Sequence, residues 1–208
     1  MTIRERLRGI REPKEIKSKA ASAAASAGFL LLGAGLGAFA KHLDIAGTYG
    51  SLNLAGVFND FPIWLLAALI IAVFSFTPVK AAVNVFLFYA GMNAAYHIWT
   101  IYFGGFDPGG YMMIWYALTA VSPILAVICW YARGEGAAAL AADALILAVL
   151  ATFCFSFGWI YFGFKGVLNA LFFTAAAAAL YRSPKQTALS FAASLPLAFL
   201  LSPLNPVK

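Results

Sequence analysis

Charge is scarce in this chain. Only 11% of its 208 residues are Asp, Glu, Lys or Arg, against about 25% in a soluble domain. Acids are scarcer still, eight against fourteen bases. The two cysteines, Cys129 and Cys154, form no CxxC pair and have no histidine or acid at ligand spacing. That excludes a disulfide framework and a zinc ribbon, and both read as inert thiols inside apolar runs. The GxSxG, HExxH and P-loop patterns are missing, so serine hydrolases, zincins and phosphate-cradling NTPases are excluded with them. No apolar run alternates with period two, which rules against a transmembrane barrel. Without paired acids, a nucleophile–base pair or a metal cluster, the sequence predicts no catalytic residue, no metal and no cofactor. An intramembrane enzyme is its least supported function.

What the chain has is apolar length. It is 63% hydrophobic, and the apolar residues fall into segments at about 20–40, 61–78, 81–103, 111–132, 137–163, 166–181 and 187–203. Most approach the 17–25 residues that cross a bilayer as a helix. The predicted fold is an all-α, polytopic transmembrane bundle over 20–203. A basic cytoplasmic arm over 1–19 precedes it and a short tail over 204–208 follows. Connections are short except 41–60, so consecutive helices should be antiparallel neighbours. The seventh segment contains Pro196, and its depth decides between six spans and seven.

The net charge of +6 does not point to nucleic acid, because seven of the fourteen bases lie in "MTIRERLRGIREPKEIKSK" at the start. A basic flank beside an apolar segment is a cytoplasmic anchor on anionic lipid. No cleavage site follows the first run, so that helix is expected to be retained. With the N-terminus inside, the inner side collects eleven bases, including Lys80, Arg133, Arg182 and Lys185; the outer side collects Lys41, Lys165 and Lys208. The expected location is a bacterial plasma membrane, crossed several times.

Polar residues inside the segments are the functional candidates, since lipid cannot satisfy them. On the third segment Tyr89, Asn93, Tyr96, His97 and Thr100 share an arc of about 100° at helical spacing. Asn84 points the other way and reads as a separate helix-to-helix contact. On the fourth segment Tyr111, Trp115, Thr119 and Ser122 form a matching stripe, and Pro123 frees the carbonyl near Thr119. On the fifth, Thr152, Ser156 and Trp159 share a face. Aromatic surface with a few placed polar groups suits a small ligand. The predicted function is therefore small-solute binding or transport, through an outward pocket between helices three, four and five. His97 lacks a second strong ligand at i+4 and reads as a neutral hydrogen-bonding group. Only convergence of His42, His97 and Asp107 would revive an enzyme. Asp143, the one acid well inside an apolar run, is a candidate proton site or a partner for Arg133 or Arg182.

The first segment is rich in small residues, "AASAAASAGF" and then Gly33 and Gly37 in GxxxG spacing. Ala24, Gly28, Gly33 and Gly37 form a face that lets another helix approach closely. In this feature, and in size, basic inner flank and compact bundle, the chain resembles the substrate-binding S-components of energy-coupling-factor vitamin transporters. The resemblance implies a membrane partner subunit docked on that helix. It carries no ligand residue, and a seventh span would depart from the family's six. A non-transporting scaffold using the same face is the alternative. Two echoes suggest an internal repeat of segments 1–3 in 5–7: "WTIYFGGF" with "WIYFGFK", and "FTPVKAA" with "RSPKQTA".

Overall fold

The computed structural model describes residues 3–47, 54–157 and 162–202. Its helices are α1 (Ile3–Ile10), α2 (Lys19–Ala46), α3 (Leu54–Asn59), α4 (Phe61–Phe74), α5 (Pro78–Trp99), α6 (Gly109–Ala132), α7 (Ala137–Cys154), α8 (Val167–Leu180) and α9 (Pro184–Leu201). A π-helical turn, Thr100–Gly104, extends α5, and two short strands, β1 (Phe155–Phe157) and β2 (Phe162–Phe164), pair antiparallel. The chain is thus all-α apart from one small hairpin. Among the described residues three helices, α2, α6 and α7, are long and apolar enough to cross a membrane; α4 and α8 are apolar but shorter.

Local chemistry sets the helix starts. Ser18, Thr77 and Ser183 each accept a hydrogen bond from the backbone three residues on, capping α2, α5 and α9. Pro78 and Pro184 follow the last two caps, where a missing N–H costs nothing.

The fifth segment, expected to be helical over 137–163, stops at Cys154 and turns into the β1–β2 hairpin. The run "FSFGWIYFGF" is as apolar as a helix, but the aromatic residues of its described ends favour strand. The loop expected over 41–60 is also shorter, because α2 runs on to Ala46 and α3 forms within it.

The bundle read as one domain resolves into two compact units. One comprises residues 14–60 and 75–127; the other comprises 1–13, 61–74 and 128–208. In the first unit α2 and α5 pack with their backbones in contact. A Cβ on Gly33 would lie 2.0 Å from the Phe88 carbonyl oxygen, one on Gly37 2.2 Å from that of Met92, and one on Gly91 2.1 Å from that of Leu30. Only hydrogen fits at these three places. Asn84 serves the same seam: Ser26 Oγ donates to its Oδ1 at 2.7 Å, and its Nδ2 donates to Ser75 at 3.1 Å. The small-residue face of α2 therefore divides. Gly33 and Gly37 are taken up by α5, while Ala24 and Gly28 lie exposed.

The second unit buries Leu69 and Val73 of α4 with Leu147, Ala148 and Ala151 of α7 and Phe173, Ala176 and Leu180 of α8. The basic arm enters this unit. The Arg11 guanidinium donates to the carbonyl of Trp130 at 2.6 Å and to that of Val73 at 2.8 Å, and stacks 4.3 Å from the Trp130 ring. These carbonyls belong to the last turns of α6 and α4, whose oxygens have no partner within the helix. One side chain thus caps two C-termini. Nearby, the Ile10 carbonyl accepts the Glu135 N–H at 2.8 Å. Burial, then the cations Arg133 and Arg182, push Arg11 down to about 10, so it stays charged at neutral pH.

Candidate functional site

An open groove of about 440 Å³ lies in the first unit between α5 and α6, lined by Ala90, Asn93, Ala94, His97, Ile98, Tyr116 and Thr119. The α5 stripe supplies Asn93 and His97. Tyr116 was not among the predicted residues, yet it is one of the groove's four polar groups, with Asn93, His97 and Thr119. It lies one helical turn before Thr119 and so shares that residue's flank.

The buried end of the groove is built around Asn93. Thr119 Oγ1 donates to the Trp115 carbonyl at 2.8 Å, so it can accept from Asn93 Nδ2, 2.6 Å away. Nδ2 also lies 3.2 Å from the same carbonyl. Two acceptors thus fix the amide's orientation and leave Asn93 Oδ1 buried without a hydrogen-bond partner. Trp115 acts here through its backbone carbonyl and Thr119 through its hydroxyl. Pro123 cannot donate to the Thr119 carbonyl, and Ser122 Oγ does so instead at 2.9 Å.

The wetter end carries His97. Its Nδ1 shares a short hydrogen bond with the Tyr116 hydroxyl, and the rings stack with centroids 6.1 Å apart. Its Nε2 faces Asp107 Oδ1 at 3.5 Å, while the same oxygen accepts the Gly109 N–H at 2.9 Å. Carboxylate, imidazole and phenol form a line that can orient a polar group.

The remaining predicted residues do other work. Tyr96 turns toward α2: its hydroxyl bonds Asp44, and its ring lies 5.1 Å from Lys41 Nζ. Lys41 is buried and pairs with Asp44 at 2.6 Å, and Asn59 donates to the same carboxylate. Tyr89 is buried against Phe88. Thr100 is buried and donates to the Tyr96 carbonyl at 2.7 Å. Tyr111 is exposed, as an interfacial aromatic would be.

Ser156 sits in β1 rather than on a helical face with Thr152. Trp159 lies outside the described residues. His42 packs edge-on against Trp99 and does not join His97 and Asp107. Among the described residues no three His, Cys, Asp or Glu side chains could hold a metal ion together. Arg133 lies over the Phe74 ring and Arg182 pairs with Glu135, so neither neutralises Asp143.

Compared with protein-family models, with curated proteins and with solved structures, the chain matches none.

Proposed function

We propose that this chain is a multi-pass protein of the bacterial plasma membrane, N-terminus inside, that binds a small solute in the α5–α6 groove from the outer side and takes part in its transport. The distribution of bases supports the orientation. A seventh span rests on α9, which continues through Pro196 to Leu201 over 18 residues, a length of about 27 Å.

One observation carries the solute reading. A buried acceptor, Asn93 Oδ1, stays unfilled at the inner end of a groove whose rim offers an imidazole and a phenol. Unsatisfied buried polar atoms are uncommon and are often completed by a ligand or water. The solute that fits is small and mainly apolar or aromatic, with a hydrogen-bond donor for Asn93 and a polar group for His97 and Tyr116.

The test uses full-length protein released from its own membranes into nanodiscs, analysed by native mass spectrometry. Wild type should carry a small-molecule adduct of defined mass. Asn93→Leu and His97→Leu should each lose it, with His97→Leu keeping the wild-type melting temperature because its side chain is partly exposed. An adduct of the same occupancy in both variants would sink the assignment.

A further inference from the structure

Helices α4 and α8 are each 14 residues long, and each leads through a short turn into a helix with the same start. Thr77 and Pro78 open α5 as Ser183 and Pro184 open α9. Carried further at the same interval, Asn84 corresponds to Ser190, and Lys80 to Gln186. The echo of "FTPVKAA" in "RSPKQTA" is thus a structural correspondence. The other echo is not, because "WTIYFGGF" forms a π-helical turn while the described end of "WIYFGFK" is strand.

The two seams then differ in one respect. Between α2 and α5, Asn84 and Ser26 belong to a closed set completed by Ser75 and by the Lys80 ammonium, 3.3 Å from Ser26 Oγ. Between α7 and α9, Ser190 faces the carboxyl of Asp143. Asp143 is 2% exposed and Ser190 0%. Among the described residues no cation completes this seam. Gln186, at the place of Lys80, donates to the Gly134 carbonyl instead. Asp143 Oδ1 and Ser190 Oγ have no partner within hydrogen-bond geometry.

Among the described residues, the helices packed on this seam offer no other charge close to it. Helices α4 and α8 contain no Asp, Glu, Lys, Arg or His. On α9 the only charged residue is Lys185, exposed at its first turn. Arg182 pairs with Glu135, and Arg133 lies on Phe74. The other titratable groups near α7 are the thiols Cys154, on α7 itself, and Cys129, with the Tyr131 phenol, on the end of α6. An isolated carboxylate in such a setting is far costlier than the neutral acid.

We propose that Asp143, facing Ser190, is a proton-binding site buried between α7 and α9, its carboxyl held in the neutral, protonated form. The site favours a proton over a metal cation. Hard cations take about six or more oxygens, and these two side chains supply three. The proposal stands independently of the solute groove.

Infrared spectroscopy of the full-length protein in nanodiscs at neutral pH tests it. The carbonyl band of a protonated carboxyl should be present in wild type, absent in Asp143→Asn, and shifted in Ser190→Ala. Asp143→Asn should melt at or above the wild-type temperature, since an amide mimics the neutral acid. If that variant does not fold, labelling of wild type with a hydrophobic carbodiimide decides, because the reagent attacks protonated carboxyls. An adduct mapped to Asp143 that fades as pH rises supports the site. Absence of both band and adduct at neutral pH overturns it. Protection by sodium ions at constant pH also overturns it, in favour of a sodium site.

Discussion

Gly33→Ala is expected to destabilise the protein by about 3 kcal/mol or more, although alanine is the better helix former. Intrinsic propensity alone favours the change by about 1 kcal/mol. The new methyl group would, however, lie 2.0 Å from the Phe88 carbonyl oxygen, inside van der Waals contact with a group that cannot rotate away. Helix α2 would have to move off α5, and overpacking of this kind commonly costs 1–3 kcal/mol even where side chains can adjust. Gly37→Ala and Gly91→Ala should behave alike, because their Cβ atoms meet the carbonyls of Met92 and Leu30. Gly28 and Gly35 on the same helix meet nothing within 4 Å. Their alanine variants should match or exceed wild type. Thermal unfolding of the five variants in detergent checks the contrast; equal losses at Gly28 and Gly33 would refute the packing of α2 on α5.

Arg11→Ala is expected to cost about 3 kcal/mol, an unusual amount for one arginine in a basic arm. It removes two charge-assisted hydrogen bonds, at about 1.5 kcal/mol or more each, and the stacking on Trp130. It also leaves the C-terminal carbonyls of α4 and α6 without a cation at the negative ends of their dipoles. Arg11→Lys should recover less than half of this, because an ammonium cannot span both carbonyls as a fork does. Arg8 is exposed, and Arg8→Ala should stay within about 0.5 kcal/mol of wild type. Chemical denaturation of the three variants, read as shifts in midpoint, distinguishes a cap from a lipid anchor. A lipid anchor would make Arg8 and Arg11 equivalent.

These residues show where sequence reading reaches and where it stops. Apolar length located every long helix, because hydrocarbon-length runs have few other folds open to them. It could not locate the end of α7. "FSFGWIYFGF" is as apolar as the helix before it, and hydropathy does not separate aromatic strand formers from helix formers. The α5 stripe was legible as a polar arc, but an arc of about 100° is wide enough to face two neighbours. Asn93 and His97 meet α6, while Tyr96 meets Lys41 and Asp44 near the end of α2. Tyr116 escaped notice because only its long side chain carries it to His97. Arg11 looked like its basic neighbours, since the carbonyls it caps lie 62 and 119 residues away in the chain. Asp143 was visible as an acid inside an apolar run, but its setting differs from the α2–α5 seam because Gln186 stands where α5 has Lys80, a correspondence carried by helix starts rather than composition.

If the α5–α6 groove binds solute from the outer side, water should reach it there. Ala94, exposed on the groove wall between Asn93 and His97, reports on it. In a background with Cys129 and Cys154 replaced by alanine, Ala94→Cys should react with a membrane-impermeant maleimide in intact cells. The same substitution at Leu31, 70% exposed midway along α2, should stay unlabelled in the apolar core. Labelling of Ala94→Cys alone is the predicted result. A cysteine at 94 that stays silent in cells and reacts only after detergent extraction would place the groove against lipid and contradict the account.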